Sequence, residues 1–278
     1  GKIFPCNLCR REMGNLYNDN FDALVQGGEE NERRCSRKEC SCYISYCNRP
    51  DIEELLFFQP YPAFRIPFYK KAVFFDVDGT LVREGEREIS DEVAQKLLRL
   101  ARHSDIFLAT SLPYETAMKK VGKAADVLCG GVFANGARIR VKGEHTVIPL
   151  ENALVERMKK QGETYDARIK VYKTGDIAYK ITMSFRNRKN LQKMLAEVKE
   201  ADCHMAEEEG RLQITAAGTG KLEGVRMVCE KIGVSFDEIA VFGNDENDLP
   251  MLQEVPFSVA APGSSEAVRK LKHIKVVF

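Results

Sequence analysis

The apolar and polar positions change rhythm along the chain. Residues 1 to about 50 carry no long apolar periodicity and include Gly27-Gly28 followed by Glu29, Glu30, Asn31, Glu32, Arg33 and Arg34, a charged, loop-like stretch. Residues 51–70 set Pro60, Pro62 and Pro67 among aromatics and read as an extended linker. From residue 71 the pattern sharpens. Ala72-Val73-Phe74-Phe75 is a continuous apolar run, the mark of a parallel strand buried on both faces. Ser90 can then cap a helix running to about His103, with Val93, Leu97 and Leu100 on one face. Ile106 to Ala109 is a second buried-strand run, and Pro113 suits the first turn of the helix after it. This alternation predicts an α/β fold built on a doubly wound parallel sheet.

Between residues 132 and 215 the pattern is that of an inserted α+β domain. Val132 to Leu150 reads as short strands joined by turns at Asn135-Gly136 and Lys142-Gly143. Helix-like stretches near 151–161 and 188–200 alternate with strand-like ones near 168–173, 177–185 and 202–215. The βα rhythm then returns: a helix from about Lys221 to Ile232, strands at Ile239–Phe242 and Ser258–Ala260, a short helix, and the apolar end Ile274 to Phe278. The expected organisation is a Cys-rich segment (1–50), a linker (51–70), a core (71–131 and 216–278) and an inserted cap (132–215).

Two places at strand ends carry chemistry. Asp76-Val77-Asp78-Gly79-Thr80 follows the first buried strand directly, where doubly wound folds bind ligands. Two carboxylates there repel each other and any phosphate, by about 4 kcal/mol per pair at ~4 Å and an effective dielectric near 20. A divalent cation removes that penalty, and hard oxygen ligands beside phosphate favour Mg²⁺. Gly243-Asn244-Asp245-Glu246-Asn247-Asp248 again follows an apolar run and gathers acidic and amide side chains suited to metal ligation. Between these, Thr110 ends the second strand, where its hydroxyl and the next N–H, that of Ser111, can hold a phosphoryl oxygen. Lys221 opens a helix after Ala216-Ala217-Gly218-Thr219-Gly220, and a cation there opposes the helix dipole unless an anion compensates it.

Composition narrows the function. Lys and Arg number 42 against 41 Asp and Glu, a net charge of +1, so no whole-chain field attracts nucleic acid or an anionic membrane. No apolar run approaches the roughly 20 residues needed to span a bilayer. The start, Gly1-Lys2-Ile3-Phe4-Pro5, does not read as a secretion signal, and the cytoplasm is the expected compartment. Six of the nine cysteines, Cys6, Cys9, Cys35, Cys40, Cys42 and Cys47, fall in the first 47 residues. In a reducing compartment such a cluster suggests metal before disulfides. Cys6-x-x-Cys9 with Cys35 and Cys40 suits tetrahedral Zn²⁺, and Cys42 with Cys47 is a rival second pair. A closed Cys₄ site would be structural or would dock a protein partner. Cys129, Cys203 and Cys229 read as inert thiols.

Together these residues resemble the haloacid dehalogenase superfamily of phosphotransferases, over about residues 71–278. Asp76 to Val82 fits its first motif, DxDGTL, with Thr110, Lys221 and Gly243 to Asp248 fitting the second, third and fourth. Asn135-Gly136-Ala137 opens the insert in the manner of Cof-like sugar phosphatases, which carry a type IIB α/β cap there. The resemblance implies a Mg²⁺-dependent phosphoric monoester hydrolase acting on small phosphorylated metabolites such as sugar phosphates. Asp76 would be the nucleophile that forms an aspartyl-phosphate, and Asp78 the general acid and base. Thr110, Ser111, Lys221 and Asn247 would bind substrate. The metal would be held by Asp76, Asp78 and the fourth motif. Relatives have Asp where this chain has Asn244, so Asn244, Asp245 and Asp248 all stay open as ligands. Two other functions fit the pattern: a phosphotransferase or phosphomutase on the same scaffold, and a zinc-bearing binding protein whose active site has decayed.

Overall fold

The computed structural model describes residues 2–3, 14–15, 70–83, 85–198, 203–208, 210–271 and 275–276. The chain forms two compact units, Gly1–Ala63 and Phe64–Phe278. In the first unit the described residues are one antiparallel pair, β1 (Lys2–Ile3) and β2 (Gly14–Asn15). The candidate zinc ligands Cys6, Cys9, Cys35 and Cys40 lie outside the described residues.

The second unit is built on an eight-stranded sheet. Its strands are β3 (Ala72–Phe75), β4 (Asp105–Ala109), β5 (Leu128–Phe133), β6 (Arg138–Val141), β7 (Glu144–Val147), β12 (Ile239–Gly243), β13 (Ser258–Ala260) and β14 (Lys275–Val276). Their spatial order is β14-β13-β12-β3-β4-β5-β6-β7. The pairs from β14 to β5 are parallel, and β6 and β7 add antiparallel hairpins at one edge. All four residues of β3 are buried, as the unbroken apolar run predicts. Phe74 and Phe107 stack at 5.1 Å between ring centroids in the core they share with Val132, Val225, Val228 and Met251.

The helices follow the sequence closely. Helix α1 (Asp91–Leu100) is capped by Ser90, whose Oγ accepts from Val93 N at 3.2 Å, and buries Ala94, Leu97 and Leu100. Helix α2 (Tyr114–Val121) begins after Pro113. Helix α5 (Lys221–Ile232) covers β4, β5 and β6, and α6 (Leu249–Glu254) packs on β12. Helix α7 (Glu266–Arg269) completes the unit.

A four-stranded antiparallel sheet makes the second layer, in the order β10-β11-β9-β8. It comprises β8 (Ala167–Thr174), β9 (Ile177–Phe185), β10 (Cys203–Glu208) and β11 (Arg211–Ala216). Helices α3 (Asn152–Thr164) and α4 (Arg188–Glu197) cover one face. Leu154, Met158, Leu191 and Met194 pack there on Ile181, Met183, Leu212 and Ile214.

Three differences from the sequence pattern stand out. The strands expected to open the insert at Val132 hydrogen-bond into the large sheet, because β5 pairs with β4 and then turns back twice through tight hairpins. The stretch 202–215 is a hairpin turned at Gly210, with φ +71°, rather than one strand. Helix α6 was not anticipated, since its six residues are too short to show a period. Of the three later cysteines, Cys203 and Cys229 are buried and Cys129 is half-buried, and burial raises Cys129 and pushes Cys229 up to about 11, which keeps the thiols protonated.

Removing the Phe107 ring from the centre of the sheet should destabilise the protein strongly. Phe107→Ala is expected to cost about 3–5 kcal/mol in urea unfolding.

Candidate active site

The parallel strands β12, β3 and β4 end side by side, and every loop that leaves them there carries polar side chains. After β3 the chain folds back on itself: Leu81 and Val82 donate to the Val77 carbonyl at 3.0 and 2.8 Å, and Gly79 N donates to Val82 O at 2.8 Å. Gly79 has φ +79°, and a Cβ on it would lie 2.1 Å from a terminal atom of the Asn244 amide. Only glycine satisfies both the conformation and the approach.

Lys221 sits at the centre. Its side chain is 1% exposed, and its Nζ donates to Asp76 Oδ1 at 2.7 Å and to Asp248 Oδ1 at 2.6 Å, with Asn247 Oδ1 at 3.3 Å. The anion that the helix start required is therefore a pair of buried carboxylates. Burial works against the ammonium, but Asp248 and Asp76 outweigh it and hold Lys221 above its usual range. One cation cannot neutralise two anions. Burial pushes Asp76 up to about 8, with Lys221 opposing and Asp248 adding repulsion. The buried trio is one positive charge short when fully ionised.

Asp76 Oδ2 faces a second group. One terminal atom of the Asn244 amide lies 3.1 Å from it, 3.0 Å from the Asp78 carbonyl oxygen and 3.1 Å from Thr80 Oγ1. All three can accept, so that atom is assigned as the nitrogen, donating to them. The donor set also fits a divalent cation. The Asp76 carboxylate, which shares its one counter-charge with Asp248, and the Asp78 carbonyl converge on one polar group at about 3 Å, the spacing of neighbouring oxygens around Mg²⁺ with bonds of ~2.1 Å at right angles. With the amide turned over, its oxygen would complete three ligands.

The structure divides the other candidates. Asp248 is fully buried, and its Oδ2 accepts from the backbone N–H groups of Asn244 and Asp245 at 2.9 and 3.2 Å. It braces the loop and Lys221 and is not turned to the Asn244 position. Asp245 is exposed and caps Glu246 N at 2.8 Å, so it too is directed away. Both open as alternatives to Asn244 are thereby engaged elsewhere, and the reason is the loop's own need for acceptors at its N–H groups. Among the described residues no cluster of three or more His, Cys, Asp or Glu side chains is arranged to hold a metal. The Asp78 side chain is partly exposed and ion-paired to Lys120 of α2. Thr110 is buried at the end of β4; its Oγ1 accepts from Leu112 N at 3.1 Å.

Three groups escaped sequence reasoning. Lys120 is hidden among the other cations of α2. Lys180 and Gln213 lie on the face of the four-stranded sheet opposite its helices. Both are buried, and Lys180 Nζ donates to Gln213 Oε1 and to the backbone carbonyl of Ser111, beside Thr110. A lysine alternating with Ile181 and Tyr179 inside a strand was the available signal, and an exposed strand face gives the same pattern. Arg186, which follows β9, pairs with Asp166 just before β8.

The model of the haloacid dehalogenase-like hydrolase family matches residues 73–190 and 149–275. The chain belongs to this family. The hydrolase is 25% identical over 210 residues to a phosphoglycolate phosphatase of Archaeoglobus fulgidus, covering 73% of this chain and 88% of that one. It is 26% identical over 204 residues to a phosphoglycolate phosphatase of Methanosarcina acetivorans, covering 72% and 87%. Among solved structures it superposes on a subclass IIB sugar phosphatase with a TM-score of 0.64 and 19% identity, over 74% of this chain and 94% of the other. That likeness speaks for the fold: a Rossmann-like core with an α+β cap. Family and relatives together make this hydrolase an enzyme of the phosphatase class. No described helix is long and apolar enough to cross a membrane.

The raised Asp76 sets a sign for stability. Its stabilising contribution is complete below the unfolded value near 4 and is lost as pH rises toward about 8. In metal-free buffer the wild-type melting temperature is therefore expected to fall over that range. Asp76→Asn should flatten the dependence and melt about 5 °C or more above wild type at pH 8 in EDTA, read by calorimetry.

Proposed function

We propose that this hydrolase is a Mg²⁺-dependent phosphatase of small phosphorylated metabolites, with sugar phosphates as the leading class, working through an aspartyl-phosphate on Asp76. The observation that carries the reading is the buried Asp76 carboxylate, held between Lys221 and the Asn244 amide at the end of β3. A carboxylate so placed is fixed in direction and stripped of water, both of which favour attack on phosphorus.

In this reading Asp76 forms a bond to phosphorus while the ester oxygen leaves and takes a proton from Asp78. Asp78 then removes a proton from water, which attacks the acyl-phosphate, releasing phosphate and restoring Asp76. The ion pair between Asp78 and Lys120 has to open for this exchange. Lys221, Thr110 and the Ser111 N–H are suited to the phosphoryl oxygens, with Asn247 holding Lys221. Asp76, the Asp78 carbonyl and Asn244 would hold Mg²⁺, which when bound neutralises charge on the phosphoryl group. The antiparallel layer of residues 150–216 acts as the cap that excludes water.

A second substrate reading is a phosphorylated hydroxy acid, favoured by the two phosphoglycolate phosphatases among the relatives and by Lys180, a buried cation where cap meets core. Transfer to a sugar acceptor, as in a mutase, would use the same Asp76 and Asp78. A decayed binding protein is disfavoured, since Asp76, Asp78, Thr110 and Lys221 are all present and Asp76, Lys221 and Asp248 form one buried cluster. The N-terminal cysteines remain proposed Zn²⁺ ligands of a docking segment.

Phosphate release from a panel of sugar phosphates, phosphoglycolate and p-nitrophenyl phosphate tests the reading. Release is expected with Mg²⁺, to vanish in EDTA and to fall at least about 10³-fold in Asp76→Asn. A requirement for a bisphosphate activator would mark the mutase instead. Asn244→Asp is expected to tighten Mg²⁺ binding about tenfold or more in titration calorimetry. Without metal it should lower the melting temperature, because a carboxylate cannot donate to Asp76 and the Asp78 carbonyl.

A further inference from the structure

Among the described residues, Asn135 is a buried side chain whose polar atoms are all left over. It follows β5, at the carboxyl edge of the sheet where ligands bind in this architecture. Its backbone N–H donates to the carbonyl of Thr110 at 3.2 Å. The next residue, Gly136, has φ +83°, and a Cβ there would lie 2.3 Å from the carbonyl oxygen of Gly220, the residue before Lys221. The turn is thus wedged between the two elements that bring Thr110 and Lys221 to the phosphoryl position. Asn135 is 2% exposed, and neither Nδ2 nor Oδ1 has a hydrogen-bond partner among the described residues. Buried polar atoms are nearly always satisfied, and an exception calls for a partner from outside the chain or for a role in the site.

We propose that the Asn135 amide binds the substrate and selects a leaving group with a hydroxyl on the carbon next to the ester carbon. This deepens, and rests on, the phosphatase reading. The amide needs an acceptor at Nδ2 and a donor at Oδ1. A dianionic phosphoryl group only accepts, and so does a carboxylate, so either fills half of the amide. A phosphate ester with a neighbouring hydroxyl fills both: the ester or phosphoryl oxygen accepts from Nδ2, and the hydroxyl donates to Oδ1. Sugar and polyol phosphates have this arrangement and phosphoglycolate does not. Lys180, held by Gln213, reaches the carbonyl of Ser111 from the antiparallel layer, so polar groups approach the Thr110–Ser111 segment from that side as well.

The test compares glycerol 1-phosphate with propyl phosphate, which has the same carbon chain without hydroxyls, by kcat/KM in wild type, Asn135→Ala and the isosteric Asn135→Asp. Wild type is expected to favour glycerol 1-phosphate by about tenfold or more. Asn135→Ala, which removes the acceptor for the hydroxyl, should lose more on glycerol 1-phosphate than on propyl phosphate, bringing the ratio within about threefold, chiefly through KM. Asn135→Asp keeps the shape and the acceptor for the hydroxyl and loses the donor to the oxygen that both esters carry, so it should fall on both alike and keep the wild-type preference, which carries the test where the alanine variant does not fold. A wild-type ratio near one, an equal fall on both esters in Asn135→Ala, or a preference lost in Asn135→Asp overturns the proposal and makes Asn135 a part of the turn alone. Release of phosphate from neither ester nor from p-nitrophenyl phosphate by the wild type overturns the phosphatase reading itself.

Discussion

A single ammonium group, that of Lys221, shared by two carboxylates in a place without water, organises this protein. Its bonds to Asp76 and Asp248 join three segments far apart in sequence: the end of β3, the start of α5 and the loop after β12. Isolated, each of the three groups would cost several kcal/mol to bury. Combined, they still leave negative charge in excess, and burial, with the Asp248 charge adding to it against Lys221, holds Asp76 raised. The neighbouring details serve this trio. Asp248 takes the N–H groups of its own loop, Gly79 leaves room for the Asn244 side chain, and Gly243 leaves room for Asp248, whose carboxyl carbon would lie 2.6 Å from any Cβ there.

The second layer solves a different problem. A sheet covered by helices on one face must do something with the other. Here that face carries Lys180, Thr182, Gln213 and Thr215, alternating with the apolar residues that pack on α3 and α4. Lys180, Gln213 and Thr215 are buried. A polar face kept from solvent is a poor core and a good ceiling for a polar substrate, which is what a cap over a phosphoryl site requires.

Much of this was legible in the sequence because the signals were local. The unbroken run at Ala72–Phe75 could only be a strand buried on both faces, and Asp76 followed it directly. Ser90 announced its helix by a cap, and Lys221 and Ile232 marked both ends of α5. What escaped was pairing. The turns at Asn135-Gly136 and Lys142-Gly143 were visible, but no local pattern says that β6 and β7 extend the large sheet instead of opening the small one. The fourth motif shows the same limit. Its composition offered several acidic ligands, while the loop's N–H groups and Lys221 decided which carboxylates were already committed. Lys180 could not be separated from an ordinary surface lysine until the strand that carries it was laid against the core.

The contact between Lys180 and Ser111 reaches further than mechanical closure. The carbonyl that accepts from Lys180 belongs to the same peptide group as the Leu112 N–H, and that N–H donates to Thr110 Oγ1. Peptide groups are polarised as units, so an ammonium on the oxygen makes the nitrogen's hydrogen more positive. The Thr110 hydroxyl, accepting from it, becomes the better donor through its own proton. The layer that carries Lys180 therefore touches the core electronically as well as sterically, because its ammonium polarises the peptide group that supports the Thr110 hydroxyl.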